Sequence, residues 1–212
     1  IYTLSLHDAL PICQVGHSMA FRAFYALPVE NFTTSTGQAT NAVHGFTSMF
    51  LSLIDSERPT HVAVAFDLPG GTFRTQDYPL YKANRDAPPQ PFVGQVALIQ
   101  DLLSAMGVRS LTKENVEADD ILATLAARAQ EAGMEVLVCS GDRDSLQTVT
   151  ERCTVLYPVR GVSTLRRMTP AEVERRYGVP PQRYPHLAAL VGETSDNLPT
   201  WQIGRASCRE RV

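Results

Sequence analysis

Two short apolar runs leave this chain few folds to choose from. His61-Val-Ala-Val-Ala-Phe66 and Glu135-Val-Leu-Val-Cys139 are continuous and rich in β-branched residues, and turn-forming residues close each: Asp67 with Pro69-Gly-Gly71, and Ser140-Gly-Asp142. Such runs lack the alternation of a half-solvated strand and read as strands buried on both faces of a parallel sheet. Between and around them the apolar residues recur at helical spacing: Val43, Phe46, Phe50, Leu53 and Ile54; Val96, Ile99, Leu103 and Met106; Ile121, Leu122, Leu125, Ala126 and Ala129. Strands alternating with helices predict an α/β fold with a parallel sheet. Thr169-Pro-Ala-Glu172 reads as an N-cap with proline in the first turn of a further helix, which Gly178 stops.

The acidic residues follow this frame. Eight of the 22 fall into four groups, each beside an expected strand end or helix start: Asp67; Glu117, Asp119 and Asp120; Asp142 and Asp144; Glu193 and Asp196. In open parallel sheets the ligand site lies beyond the carboxyl ends of the strands, where Asp67 and Asp142 stand. Carboxylates gathered there raise one another's pKa unless cations neutralise them. All-oxygen ligation suits Mg²⁺ or Mn²⁺, and a pair of such ions serves in-line attack on a phosphodiester. Each group also has a plainer reading. Acids in the first turn of a helix answer its macrodipole, and Asp and Gly are ordinary turn residues after a strand. The plain readings do not explain why all four groups stand at one end of the sheet.

Composition neither forbids nor demands a nucleic-acid partner. The formal net charge is −3, but with the eight clustered acids set aside, 19 Lys and Arg face 14 acids. Residues 73–91 mix Arg74, Lys82, Arg85, Tyr78 and Tyr81 with four prolines, as expected of an arched element that grips single-stranded nucleic acid, or of a solvated loop. Lys82 and Arg85 are three apart and would share a face of a helix, as a phosphate clamp or as a plain surface pair. His17 is a candidate phosphate contact or a structural side chain, while His44, His61 and His186 show no ligand spacing. The four cysteines form no C-x-x-C pair, which argues against zinc or a disulfide framework and fits a reducing cytoplasm. No apolar stretch reaches the length of a membrane span.

Several motifs together closely resemble the 5′ nuclease domain of bacterial DNA polymerase I: Gly16-His-Ser-Met-Ala-Phe-Arg-Ala-Phe-Tyr-Ala-Leu27, Val64-Ala-Phe-Asp67, Phe73-Arg74, Tyr81-Lys-Ala-Asn-Arg85, Glu117-Ala-Asp-Asp120, Gly141-Asp-Arg-Asp144 and Gly192-Glu-Thr-Ser-Asp-Asn-Leu-Pro199. The resemblance runs from about Gly16 to Pro199. It implies a PIN-like α/β fold with a central, mostly parallel sheet, flanking helices and a helical arch. The implied activity is two-metal hydrolysis of DNA at 5′ flaps and RNA-primed 5′ ends, in replication and repair, by a monomer whose native gene also encodes a polymerase domain. On this resemblance Asp67, Glu117, Asp119 and Asp120 ligate one metal and Asp142, Asp144, Glu193 and Asp196 surround the other. Lys82 and Arg85 steady the scissile phosphate, and Arg74, Tyr81, His17 and Arg22 join them in contacting DNA.

The chain departs from that pattern at both ends. Val15 stands where the family has an Asp, and valine cannot ligate a metal. Residues 1–13 do not resemble the family's first strand, and residues 201–212 replace the family's helix-hairpin-helix. Both ends resemble translated sequencing-adapter sequence. The expected division is therefore an artefactual leader at 1–13, a truncated nuclease domain at 14–200 and an artefactual tail at 201–212, with weak or absent cleavage. The rival readings are a non-catalytic DNA-binding remnant, a PIN-type ribonuclease, and a haloacid-dehalogenase-like phosphatase using Asp142 and Asp144.

Overall fold

The structure is a computed structural model and describes residues 10–160 and 164–199. Six strands form one sheet in the order β3-β2-β1-β4-β5-β6: β1 Pro11–Val15, β2 His61–Ala65, β3 Arg109–Leu111, β4 Val136–Cys139, β5 Cys153–Arg160 and β6 Thr164–Met168. All neighbours are parallel except β5 and β6, which pair antiparallel. Chain order reverses on either side of β1, so the switch point that marks ligand crevices in open α/β sheets lies at the carboxyl ends of β1, β2 and β4.

Alternation along the strands splits the core into two layers. Ile12, Val64, Phe66, Leu137 and Leu156 face a cluster with Met19, Ala23, Phe46, Phe50, Ile99 and Leu103, carried by α1 Gly16–Ala26, α2 Asn41–Glu57 and α4 Gln95–Ala105. Cys13, Val15, Ala65, Val138 and Val155 face Leu122, Ala126, Leu146, Val173 and Tyr184 on the other side. That layer is built mainly by α5 Ala118–Glu131, α6 Pro170–Tyr177 and α7 Tyr184–Val191. Strands β2 and β4 and the helix periodicities of α2, α4 and α5 are those the sequence predicts. Thr169 caps α6 with its side chain on the Glu172 amide, and Gly178 ends the helix at φ +71°, where a residue without a Cβ is favoured.

Two expectations change. Pro11–Val15 is the central strand, with Cys13 paired to Ala63 on one side and Val138 on the other, so the boundary expected at residue 14 falls inside β1. A proline at its first residue does not stop a strand, and the ladder is made by backbone whatever the side chains are. The arch is not helical: after the short α3, Phe73–Asp77, residues 79–84 run as turns. Pro79, Pro88, Pro89 and Pro91 interrupt any helix there, and Lys82 adopts φ +57°. Apart from residues 10–13, the expected leader and tail lie outside the described residues. Among the described residues no helix is long and apolar enough to cross a membrane.

Candidate metal centre at the strand ends

Each acidic group is placed by a local device. Asp67 lies just beyond β2, and its Oδ1 accepts the Ala118 amide at 2.8 Å, fastening the end of that strand to the start of α5. Glu117 is the N-cap of α5 in a reciprocal box with Asp120, whose Oδ2 accepts the Glu117 amide at 2.9 Å. Asp142 accepts the Asp144 amide at 2.9 Å, closing the turn after β4. Asp196 follows α7 in a 3₁₀ turn and is buried. Gly16 starts α1 directly against the Phe66 ring. A Cβ there would stand 2.1 Å from a ring carbon, so only glycine lets helix and strand end approach so closely.

The eight carboxylates line two adjoining hollows. One holds Glu117, Asp119, Asp120, Asp142, Asp144 and Asp196. The other, a cleft of about 440 Å³, holds Asp67, Glu117, Asp119, Asp142 and Glu193. Glu117, Asp119 and Asp142 belong to both and form the shared wall. Val15 also lines the second hollow, beside His17, Lys82 and Arg85. A valine therefore stands among the carboxylates at the end of the central strand.

The charges are partly met from within the chain. Arg74 forks onto Asp120 with two bonds of 2.7 Å, and this pairing holds the Asp120 carboxyl below its usual pKa. Lys82 donates to both oxygens of Glu117 at 2.9 Å, and Arg85 to Asp196 at 2.6 Å. The Tyr81 hydroxyl lies 3.1 Å from Glu117 and 3.2 Å from Asp196; burial, with those two carboxylates, pushes its pKa up. Among the described residues neither Asp119 nor Asp144 forms an ion pair, and Lys82 only partly offsets the charge around them. Burial, then Asp142 and Asp67, raises Asp119 to about 7. Burial, then Asp142 and Asp196, raises Asp144 to about 6. His17 accepts the Asp67 amide at Nδ1, 3.2 Å away, and burial lowers its pKa against the pull of Asp67.

Among the described residues no three His, Cys, Asp or Glu side chains stand close enough together to hold a metal ion as they are. The sequence argument that so many carboxylates require metal overlooked Arg74, Lys82 and Arg85, which neutralise three of them. The donor set still fits hard divalent cations, because every candidate ligand is a carboxylate oxygen and Asp119 in the shared wall is raised by burial and by Asp142 and Asp67, with only Lys82 to offset them. Sequence reasoning also missed Ser140. Buried at the end of β4, it accepts the Asp142 amide at 3.0 Å and reaches Asp119 at 3.4 Å, so one hydroxyl ties two acidic groups together. A small hydroxyl just before a Gly-Asp turn was the available signal. Tyr157 and Arg143 in the second hollow gave none. Of the proposed DNA-contacting residues, His17, Arg74, Tyr81, Lys82 and Arg85 line the two hollows; Arg22 extends toward Gly141 at their margin.

The fold and site define an α/β domain with a mostly parallel sheet and a carboxylate-lined cleft at its topological switch point. Residues 15–178 match the family described as 5′-3′ exonuclease, N-terminal resolvase-like domain, and the chain belongs to that family. It is 54% identical over 184 residues to DNA polymerase I of Mycobacterium tuberculosis, an alignment covering 87% of this chain and 20% of that protein. The chain thus spans about a fifth of the length of the curated relatives it matches. Among solved structures, T5 D15 protein co-crystallized with metal ions superposes with a TM-score of 0.73 at 18% identity, over 94% of this chain and 72% of that one. The T5 D15 flap endonuclease in a pseudo-enzyme-product complex with DNA and metal ions gives 0.68 at 19% identity, over 90% and 69%. At these identities the likeness is one of fold.

Proposed function

We propose that this chain is the 5′ nuclease portion of a DNA polymerase I, built to hydrolyse phosphodiesters at 5′ flaps and 5′ ends, RNA-primed ends included, in replication and repair. The observation that carries the reading is the convergence of eight carboxylates on two hollows with a common wall, beside Lys82 and Arg85. Asp67, Glu117, Asp119 and Asp120 would hold one divalent ion, and Asp142, Asp144, Glu193 and Asp196 the other, with Mg²⁺ or Mn²⁺ suited to the all-oxygen set. Such ions supply Lewis acidity and neutralise charge developing on phosphorus. The chain's own work is to orient. The caps and turns at Glu117 and Asp142 aim the carboxylates. Lys82 and Arg85, freed from their partners, would face the phosphate oxygens. Arg74, Tyr81, His17 and Arg22 would contact the strand around the cleft. The chain would act as a monomer in the cytoplasm, with a polymerase domain in the same native gene, and its nuclease domain would take in residues from Pro11 onward.

Val15 favours one second reading. Without a carboxylate at the end of β1 the site is incomplete, so the chain as it stands would cut weakly, or bind DNA without cutting. The test incubates a 5′-flap oligonucleotide with Mg²⁺ and three proteins: the chain itself, Val15→Asp, and Val15→Asp with Asp142→Ala. The proposal expects little product from the first, more from the second and none from the third. Flap binding without product in all three selects the DNA-binding remnant. Cleavage that survives Asp142→Ala contradicts the metal assignment.

A further inference from the structure

From Arg74 to Arg85 the chain lies across the carboxylates as a strap, and its two sides are fastened differently. Toward the loop after α7 it is joined by hydrogen bonds onto backbone carbonyls and also by Arg85 and Tyr81 on the Asp196 carboxylate, at 2.6 and 3.2 Å. The Lys82 amide donates to Asp196 at 3.0 Å, Asn84 to Thr194 at 3.0 Å, and Asn197 to Leu80 at 2.8 Å. Toward the first turn of α5 it is joined by ion pairs, Lys82 on Glu117 and Arg74 on Asp120, with Tyr81 also reaching Glu117. A cation does not compete for the backbone bonds of the first set, although Asp196, itself a candidate ligand, also holds Arg85. A cation competes directly for the second, because the oxygens holding Lys82 and Arg74 are those of candidate metal ligands. The Glu117 side chain is only 14% exposed, which leaves little room for an ammonium and a divalent ion on the same two oxygens.

We propose that residues 74–85, with loop 193–198 attached, form a latch over the site. The Lys82–Glu117 and Arg74–Asp120 pairs close it, and a divalent cation taking up the α5 carboxylates opens it. The inference rests on the metal-site reading above and adds an order of events: Lys82 becomes available to a phosphate only once the cation has displaced it. The segment has pivots of the right kind. Gly70 precedes the strap at φ +116°, Pro88 and Pro89 follow it, and Gly192 at φ +74° precedes the attached loop. A ligand that binds only the open form pulls the equilibrium toward it, and its apparent affinity is reduced by the closed fraction.

The test follows Mn²⁺ binding by calorimetry in the full chain and in Lys82→Met, and trypsin cleavage after Lys82 in the unaltered chain with and without Mn²⁺. The latch predicts faster cleavage when Mn²⁺ is present, and Mn²⁺ binding roughly five- to a hundredfold tighter in Lys82→Met. The proteolysis needs no variant and stands even if Lys82→Met folds poorly. Mn²⁺ binding with unchanged or slower cleavage overturns the latch and leaves the metal site in place, as does equal affinity in the two proteins. Failure of both proteins to bind Mn²⁺ overturns the latch together with the function it rests on.

Discussion

The central strand and its two neighbours meet the cleft with opposite polarity, Val15 level with Ala65 and the carboxylates of β2 and β4 just beyond the strand ends. β2 and β4 stay apolar through Phe66 and Cys139 and then present carboxylates, Asp67 and Asp142, to the cleft. β1 inverts this. Gln14 is fully buried between α1 and α2, and among the described residues neither of its amide atoms has a hydrogen-bond partner, while Val15 lines the cleft. The sheet forms all the same, because backbone ladders and volume decide strand pairing. A site needs one side-chain chemistry at one position, so a change the fold absorbs can empty the site of function.

Making β4 end as β1 does should have the largest effect. Asp142 stands in the wall shared by both hollows, and Asp142→Ala should weaken Mn²⁺ binding by more than the roughly 10–100-fold typical of losing outer-shell support. Unchanged affinity by calorimetry would show that the wall is not the binding locus. Asp119, also in that wall, should leave a pH signature. Its folded pKa of about 7 lies above its ordinary value, so the native chain holds a proton that the unfolded chain releases. Metal-free stability should therefore fall as pH rises from roughly 4 to 7, by at most about 4 kcal/mol at 1.36 kcal/mol per pKa unit. Melts in chelator at both ends of that window should show a flatter profile for Asp119→Asn; parallel profiles would refute the assignment. The smallest change restores β1 on its inner face. Gln14→Leu removes a buried amide without partners and should add roughly 1–3 kcal/mol by denaturant unfolding; a loss of stability would mean that the amide is satisfied in solution.

The legible parts of this molecule were those whose signal is local. Apolar runs at 61–66 and 135–139 and helical spacing in α2, α4 and α5 are short-range patterns, and the strand-end position of Asp67 and Asp142 follows from them. Pro11–Val15 was not legible, because its proline and glutamine mask a strand that only pairing with both neighbours reveals. The ion pairs of Arg74, Lys82 and Arg85 span 35 to 111 residues of sequence, and no spacing rule reports contacts at that range. The grouping of the carboxylates around a shared wall is likewise a property of the folded cleft.

The central claim is that these carboxylates make a divalent-cation site weakened by the valine that ends β1. Calorimetric titration of Mn²⁺ into Val15→Asp, beside the unaltered chain, tests it most directly. The account predicts binding in both, at least about tenfold tighter in Val15→Asp, the lower bound expected for gaining a group that supports the metal. Equal affinities, or no binding in either, would contradict it.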